Sequence, residues 1–421
     1  MKVIKAIRGM NDILARDAKI KAHIERICEN VFKTFHYQKI ETPIVEKTDL
    51  FARSIGADTD IVAKEMYTFA DRNGDNLTLR PEGTACCVRA GIEHGLFYNQ
   101  QQRFWYAGPM FRHERPQKGR YRQFHQIGAE SYGWATPDMD AELIAITQKI
   151  WQELGLSGIE LQINSLGSVS ARQNYKKALV NYLTPLRDQL DEDSQRRLKT
   201  NPLRILDSKA PSTQDLLSNA PILSDYLDEE SLKEFNELKA YLNAQNIKYT
   251  VNPKLVRGLD YYNKTVFEWI YPNLGAQATV CAGGRYDSLV EQLGGKTTPG
   301  VGFAMGVERL IDLVKEQSEI SEEVIADVYF ISIGHSARVT AFKIAQTLRH
   351  AGIIVQSHCG EGSLKNQIKR ADKSGAKFAL ILAEEELVNE KITIKPLLSR
   401  GEQKTVAQSE LLTSLDALLK V

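Results

Sequence analysis

Residues 103–112 and 122–132 read as two extended runs flanking Pro116-Gln117-Lys118-Gly119, a turn sequence that predicts one long hairpin. On the second run Phe124, Gln126, Gly128 and Glu130 share parity, so strand geometry aims all four at one face of a sheet. An aromatic, an amide and a carboxylate, with a glycine between them, are costly to bury unless they meet a ligand. On a nearby extended segment Arg80 and Glu82 also share a face, and Thr84 is placed to cap the helix that follows. A chain with these strands must build a sheet with a polar floor, which implies a pocket. From Arg103 to His125 six Lys or Arg stand against one acid, Glu114, interleaved with Phe104, Trp105, Tyr106, Phe111, Tyr121 and Phe124. That run suits phosphate with stacked bases, and is also what a solvated charged hairpin looks like.

Around the hairpin, Ile20, Ile24, Ile27, Val31 and Phe35 recur at helical spacing and predict an amphipathic helix over about 18–36, followed by a short strand at 37–41 running into Pro43. A polar helical module is expected over about 168–248, after which extended sequence resumes at 265–271. A Gly-rich turn, a helix from about Tyr286, and a strand at 301–305 entering another helix follow. Residues 316–323 are charged, lack apolar periodicity and suit a linker. Beyond them strands at 328–333, 353–356 and 378–382 alternate with helices at 339–350 and 364–373, a small α/β domain.

Composition mainly excludes. Lys plus Arg, 54, nearly cancel Asp plus Glu, 53, so any contact with nucleic acid needs a local patch. The longest strongly apolar stretch, 378–383, is far short of the ~20 residues that span a bilayer, and the first 14 residues do not pattern as a secretory signal. A cytoplasmic protein is expected. The five cysteines contain no C-x-x-C pair, which argues for reduced thiols rather than a disulfide framework or zinc site. Gly295-Lys296-Thr297 lacks the first glycine of a P-loop, because position 290 is Val290. Gly300, Gly302 and Gly306 have the wrong spacing for a dinucleotide fingerprint. His113 and His125 sit among arginines, which disfavours a bound cation, so no metal site is expected. Arg309, in the first turn of a helix, could attract phosphate or be a surface residue. Arg257-Gly258-Leu259-Asp260-Tyr261-Tyr262 and Gly283-Gly284-Arg285-Tyr286-Asp287 could be no more than structural turns.

Taken together these segments resemble the three signature motifs of class II aminoacyl-tRNA synthetases: Pro43 after its helix and strand, Phe111-Arg112-His113-Glu114 with the loop to Phe124, and Gly302-x-x-x-Gly306-Val307-Glu308-Arg309. Leu255-Val256-Arg257-Gly258-Leu259-Asp260-Tyr261-Tyr262 and Ala282-Gly283-Gly284-Arg285-Tyr286-Asp287 resemble the paired signatures of the histidyl-tRNA synthetase family. The resemblance runs from Arg8-Gly9-Met10-Asn11-Asp12 to the C-terminal domain. It implies an α+β fold: a class II antiparallel sheet with flanking helices over 1–320, carrying the helical insertion of about 168–248, and an α/β anticodon-binding domain over 326–421.

The implied activity is two-step ligation of L-histidine to tRNA(His) through histidyl-adenylate, with ATP and Mg²⁺ as substrate and no prosthetic group. The resemblance puts Arg112 between carboxylate and α-phosphate, Arg257 at the α-phosphate and Arg309 on the γ-phosphate, with Arg120 assisting at the outer phosphates. Phe124 would stack on adenine and Glu114 would reach its exocyclic amine. Glu82, Thr84 and Gln126 would hold the α-ammonium, Glu130 and Tyr262 would take the two imidazole nitrogens, and Gly83 would also belong to the histidine-binding set. Tyr261 and Tyr286 would wall the histidine slot. Arg115 and Gln117 would meet the tRNA acceptor end, the insertion would clasp the acceptor stem, and residues 20–43 would lie at or near the interface of a homodimer. Competing readings are a non-catalytic histidine-sensing regulatory paralogue, a class II synthetase for threonine, proline or glycine, and an RNA-binding module without chemistry.

Overall fold

Period-two alternation in the hairpin decides how the main unit is layered. In the computed structural model residues 3–56, 59–318, 326–398 and 401–420 are described, and the chain divides into two units, Met1–Ile320 and Ser321–Val421. The first holds an eight-stranded sheet in the order Gln38–Lys39, Gln102–Phe111, Gln123–Tyr132, Gly300–Gly306, Thr279–Arg285, Asn263–Ile270, Glu160–Ser165, Thr250–Val251. All neighbours are antiparallel except the two edge pairs. Trp105, Ile127, Ala129, Phe303 and Met305 point to one face, where they form a single core with Ile20, Ile24, Cys28 and Phe32 of the helix Ala15–Thr34 and with the helices Pro137–Glu153 and Val307–Gln317. Phe104, Tyr106, Glu130 and Tyr132 point the other way.

The expected first helix therefore exists, but its apolar stripe is spent on the protein's own core: Ile20, Ile24 and Phe32 are fully buried. Of the 37–41 strand only Gln38–Lys39 pairs. The expected Gly-rich turn at 283–284 is corrected by the structure. Thr279–Arg285 is a strand bonded on both sides, and Gly283 is there because a Cβ would lie 2.3 Å from the Gly302 carbonyl oxygen and 2.7 Å from Phe267. The helix expected from Tyr286 is confined to Leu289–Gln292.

The inserted region holds helices Val169–Leu183, Glu192–Thr200, Pro211–Leu217 and Glu229–Ala244. Ser168, Asp191 and Asp228 cap three of them by accepting backbone N–H bonds. The last helix turns Phe235, Leu238 and Leu242 into the core of the main sheet, while Leu232 of the same run stays exposed.

The second unit has a five-stranded sheet in the order Val355–Ser357, Val328–Ser332, Phe378–Leu382, Lys391–Pro396, Lys404–Ala407, the first three parallel. The βαβαβ alternation continues into two antiparallel strands and the helix Leu411–Leu419, which the sequence pattern had not resolved. Of the expected linker, residues 319–323 lie outside the described residues. Among the described residues no helix is long and apolar enough to cross a membrane.

Candidate active site

On the polar face of the main sheet lies a cavity of about 680 Å³, lined from the hairpin, the central strands, the segment 256–262 and the insertion. Its walls include twelve of the residues singled out from sequence: Glu82, Thr84, Arg112, Glu114, Gln117, Arg120, Phe124, Gln126, Arg257, Tyr261, Tyr262 and Arg309. Gly83, Arg115, Glu130 and Tyr286 do not border it.

At one end of the cavity three arginines converge. Arg112 donates from Nε to the Pro81 carbonyl (2.9 Å) and lies 5.3 Å from the Phe124 ring centroid. Arg120 pairs with Glu114. Arg309 donates from Nε to the Gly119 carbonyl (3.1 Å) and from Nη1 to the Thr279 carbonyl. Burial first, then the neighbouring Arg120, holds the Arg309 guanidinium below its ordinary value. Such a cluster of permanent cations wants a polyanion. Phe124 supplies a flat apolar face beside it.

Arg257 pairs with Glu268 and sits 5.4 Å over the Tyr262 ring. Its Nε is buried with no hydrogen-bond partner, as is Oε1 of Gln126. A buried donor and a buried acceptor left open on a cavity wall are what a bound ligand would satisfy. Here the helix Thr84–Glu93 begins, and the structure corrects the expected cap. Thr84 is the first helical residue, and Glu82 accepts from the backbone N–H of Thr84 (2.9 Å) and Ala85 (2.8 Å). Freed from capping, the Thr84 hydroxyl donates to Glu130 (2.7 Å). Tyr261 donates to Glu82 at 3.4 Å. Arg80 is likewise not at the pocket, since it donates to the Pro109 and Thr42 carbonyls, both at 2.9 Å.

Glu130 lies behind this wall, fully buried, and accepts from Thr84, from Tyr106 (3.2 Å) and from Tyr286. Burial pushes its carboxyl up to about 8 despite the three hydroxyl donors, with Glu82 adding to the push. Gly302 lies opposite it in register, where a Cβ would be 1.7 Å from the carboxylate. The room that Gly128 leaves is filled by the Tyr106 ring, 2.5 Å from where its Cβ would be. Arg285 is a structural clamp, buried against Asp140 and bonded to the Trp134 (2.8 Å) and Thr136 (3.1 Å) carbonyls. His125 binds Glu308 through its ring and backbone nitrogens, and His113 is exposed at the Tyr67 edge.

Sequence reasoning missed the cations that the insertion adds to the wall, Arg197, Arg204 and Lys209, together with Asp60, Glu65, Glu268 and Cys281. No local pattern carries them, because they reach the cavity only through long-range packing.

With this geometry in place, comparison with known proteins is specific. Residues 9–310 match the histidyl-tRNA synthetase family and residues 327–418 the anticodon binding domain family. A histidine–tRNA ligase from Marinomonas sp. (strain MWYL1) is 56% identical over 421 residues, 99% of each chain. The crystal structure of apo S. aureus histidyl-tRNA synthetase matches at TM-score 0.81 and 39% identity, covering 98% of this chain and 100% of that one. Histidyl-tRNA synthetase from Nostoc sp. PCC 7120 shares the fold at TM-score 0.70 and 21% identity, covering 99% and 100%.

Proposed function

The chain belongs to the histidyl-tRNA synthetase family, and on that premise we propose that the cavity is where it activates histidine with ATP and passes the histidyl group to tRNA(His). The activity is ATP-dependent ligation in two steps. In the first, a histidine carboxylate oxygen bonds to the α-phosphorus of ATP and the bond to the bridging oxygen breaks, releasing pyrophosphate. In the second, a terminal ribose hydroxyl of the tRNA attacks the acyl carbon and AMP leaves. Two anions must meet in the first step while charge builds on phosphoryl oxygens, so positioning and fixed positive charge do most of the work.

The single observation that carries the assignment to this cavity is the convergence of Arg112, Arg257 and Arg309 on one space that also holds Glu82, Gln126 and the Tyr261–Tyr262 pair. We assign Arg309 and Arg120 to the outer phosphates of MgATP, Arg112 to the approach of carboxylate and α-phosphate, and Arg257 to the α-phosphate through its open Nε. Phe124 offers adenine a stacking face, and Glu114 a carboxylate for its amine. Glu82, Thr84 and the open Oε1 of Gln126 suit the α-ammonium. Glu130 and Tyr262 suit the two imidazole nitrogens. Because Glu130 already has three hydroxyl partners, reaching an imidazole N–H means exchanging one of them for substrate. A competitor lacking that N–H has nothing to exchange for a hydroxyl partner and gains no bond to Glu130, which rejects it.

We place Arg115 and Gln117 at the acceptor end of the tRNA, and the C-terminal unit at its anticodon. A cytoplasmic homodimer is the proposed working form. Support comes from a groove in which Ile40, Pro43, Leu50 and Phe104 lie among charged side chains such as Lys39, Glu46 and Arg89, with exposed Ile44 and Val45 nearby, and from five free cysteines. A regulatory, non-catalytic role is disfavoured by the full-length match to a ligase. ATP–pyrophosphate exchange with each of the twenty amino acids tests the reading. Stimulation by histidine alone is expected, and stimulation by another amino acid instead would overturn it.

A further inference from the structure

The cavity carries a second cationic group that the two-step scheme above leaves unused. Arg204, on the short turn Pro202–Ile205 of the insertion, is pinned by the fully buried Ile205. Its guanidinium lies against the backbone of Gly258, 3.3 Å from where a Cβ would stand. Arg197 supports it from behind, donating to the Arg204 carbonyl at 3.4 Å while pairing with Asp60 at 3.2 Å. The carboxylate found near the Arg204 guanidinium is Asp207, at 3.6 Å and more than half exposed. Arg257, next to Gly258 in sequence, is already paired with Glu268, whereas the largely buried Arg204 has at ion-pair distance only the exposed Asp207 among the described residues, a setting that suits an added anion.

The outer-phosphate arginines are a separate group. The strongest charges near Arg309 are Arg120, Glu114 and Arg112, and those near Arg204 are Asp207, Arg197 and Asp60, with the Arg257–Glu268 pair linking the two groups. A triphosphate held by the first group leaves the second free for another phosphate. The transfer step supplies one: the ribose hydroxyl that attacks the acyl carbon is on the same sugar as a phosphodiester, which must therefore enter the cavity with it.

We propose that Arg204, propped by Arg197, binds the phosphodiester that precedes the terminal nucleotide of the tRNA, so that the insertion acts inside the active site and sets the terminal ribose for transfer. The inference rests on the ligase reading of the cavity. Its test separates the two steps, using the full-length Arg204→Gln variant and tRNA whose last phosphodiester is a neutral methylphosphonate. Single-turnover transfer from preformed adenylate is expected to fall at least tenfold in the variant, while histidine-dependent pyrophosphate exchange falls less than threefold. Arg204→Lys should recover part of the loss. The methylphosphonate should slow the unaltered enzyme by a similar factor and the variant by less than twofold. Parallel loss of exchange and transfer would assign the phosphate to ATP and overturn the proposal, as would losses from variant and methylphosphonate that simply multiply. If Arg204→Gln does not fold, the lysine variant against the methylphosphonate gives the same cycle. Failure of the unaltered protein to support histidine-dependent exchange would instead bring down the ligase reading itself.

Discussion

Replacing Glu130 by glutamine should make the ligand-free protein more stable and unable to activate histidine. The carboxyl is fully buried and its pKa is raised from the ordinary 4.5 to about 8, first by burial. In the unfolded chain it ionises near 4.5, so between pH 4.5 and 8 the folded state holds a proton that the unfolded state has released. Stability contributed by this group is complete below the unfolded value and declines as pH rises toward the folded one. At about 1.4 kcal/mol per pH unit the penalty is under ~1 kcal/mol at pH 5 and about 3 kcal/mol at pH 7. Glutamine is neutral throughout and keeps a similar shape, and the hydroxyls of Thr84, Tyr106 and Tyr286 can turn lone pairs toward its amide. The variant should match the original at pH 5 and exceed it at pH 7, where about 3 kcal/mol corresponds to roughly 5 °C for a unit of this size. Thermal unfolding from pH 5 to 8 at one scan rate, without ligands, reads this out. In the same variant, histidine-dependent exchange should fall at least a hundredfold, since one of the two carboxyl oxygens available to the imidazole N–H is replaced by a donor NH2. A variant less stable by a constant amount at every pH would refute the argument, because the buried ionisable carboxyl would then not be the governing term.

Arg257→Ala should reduce pyrophosphate exchange by two to three orders of magnitude, the range for losing one stabilising donor at a developing charge, while changing histidine binding less than tenfold; equal losses, by exchange kinetics and direct titration, would exclude the α-phosphate role. Phe124→Ala should raise the KM for ATP by about five- to 150-fold, given ~1–3 kcal/mol for base stacking, and leave the KM for histidine within twofold. Gly302→Ala places a methyl 1.7 Å from the Glu130 carboxylate and 2.7 Å from the Ala129 carbonyl, and should abolish histidine activation. Gly74→Ala, with nothing within 4 Å but φ +87°, should cost only ~1 kcal/mol of stability with exchange intact.

Sequence alone settled what periodicity and residue chemistry can settle. The parity of Phe124, Gln126 and Glu130 fixed a polar sheet face, the stripe from Ile20 fixed a core-facing helix, and the basic, aromatic-interleaved run from Arg103 to His125 suited phosphate, while the roles of the individual arginines came from the family resemblance. Local reading failed where two alternatives differ only in what lies across the sheet. Gly283-Gly284 reads as a turn in one dimension, yet it is a strand because the Gly302 carbonyl and Phe267 leave no space for a side chain. Thr84 looks like a cap, but Glu82 takes that place and releases the Thr84 hydroxyl to Glu130. Only the tertiary structure set Glu130 against Tyr286, 156 positions away, and carried Arg197 and Arg204 from the insertion into the cavity. Strand register and packing between remote segments determine these contacts, and no short-range pattern in a chain records either.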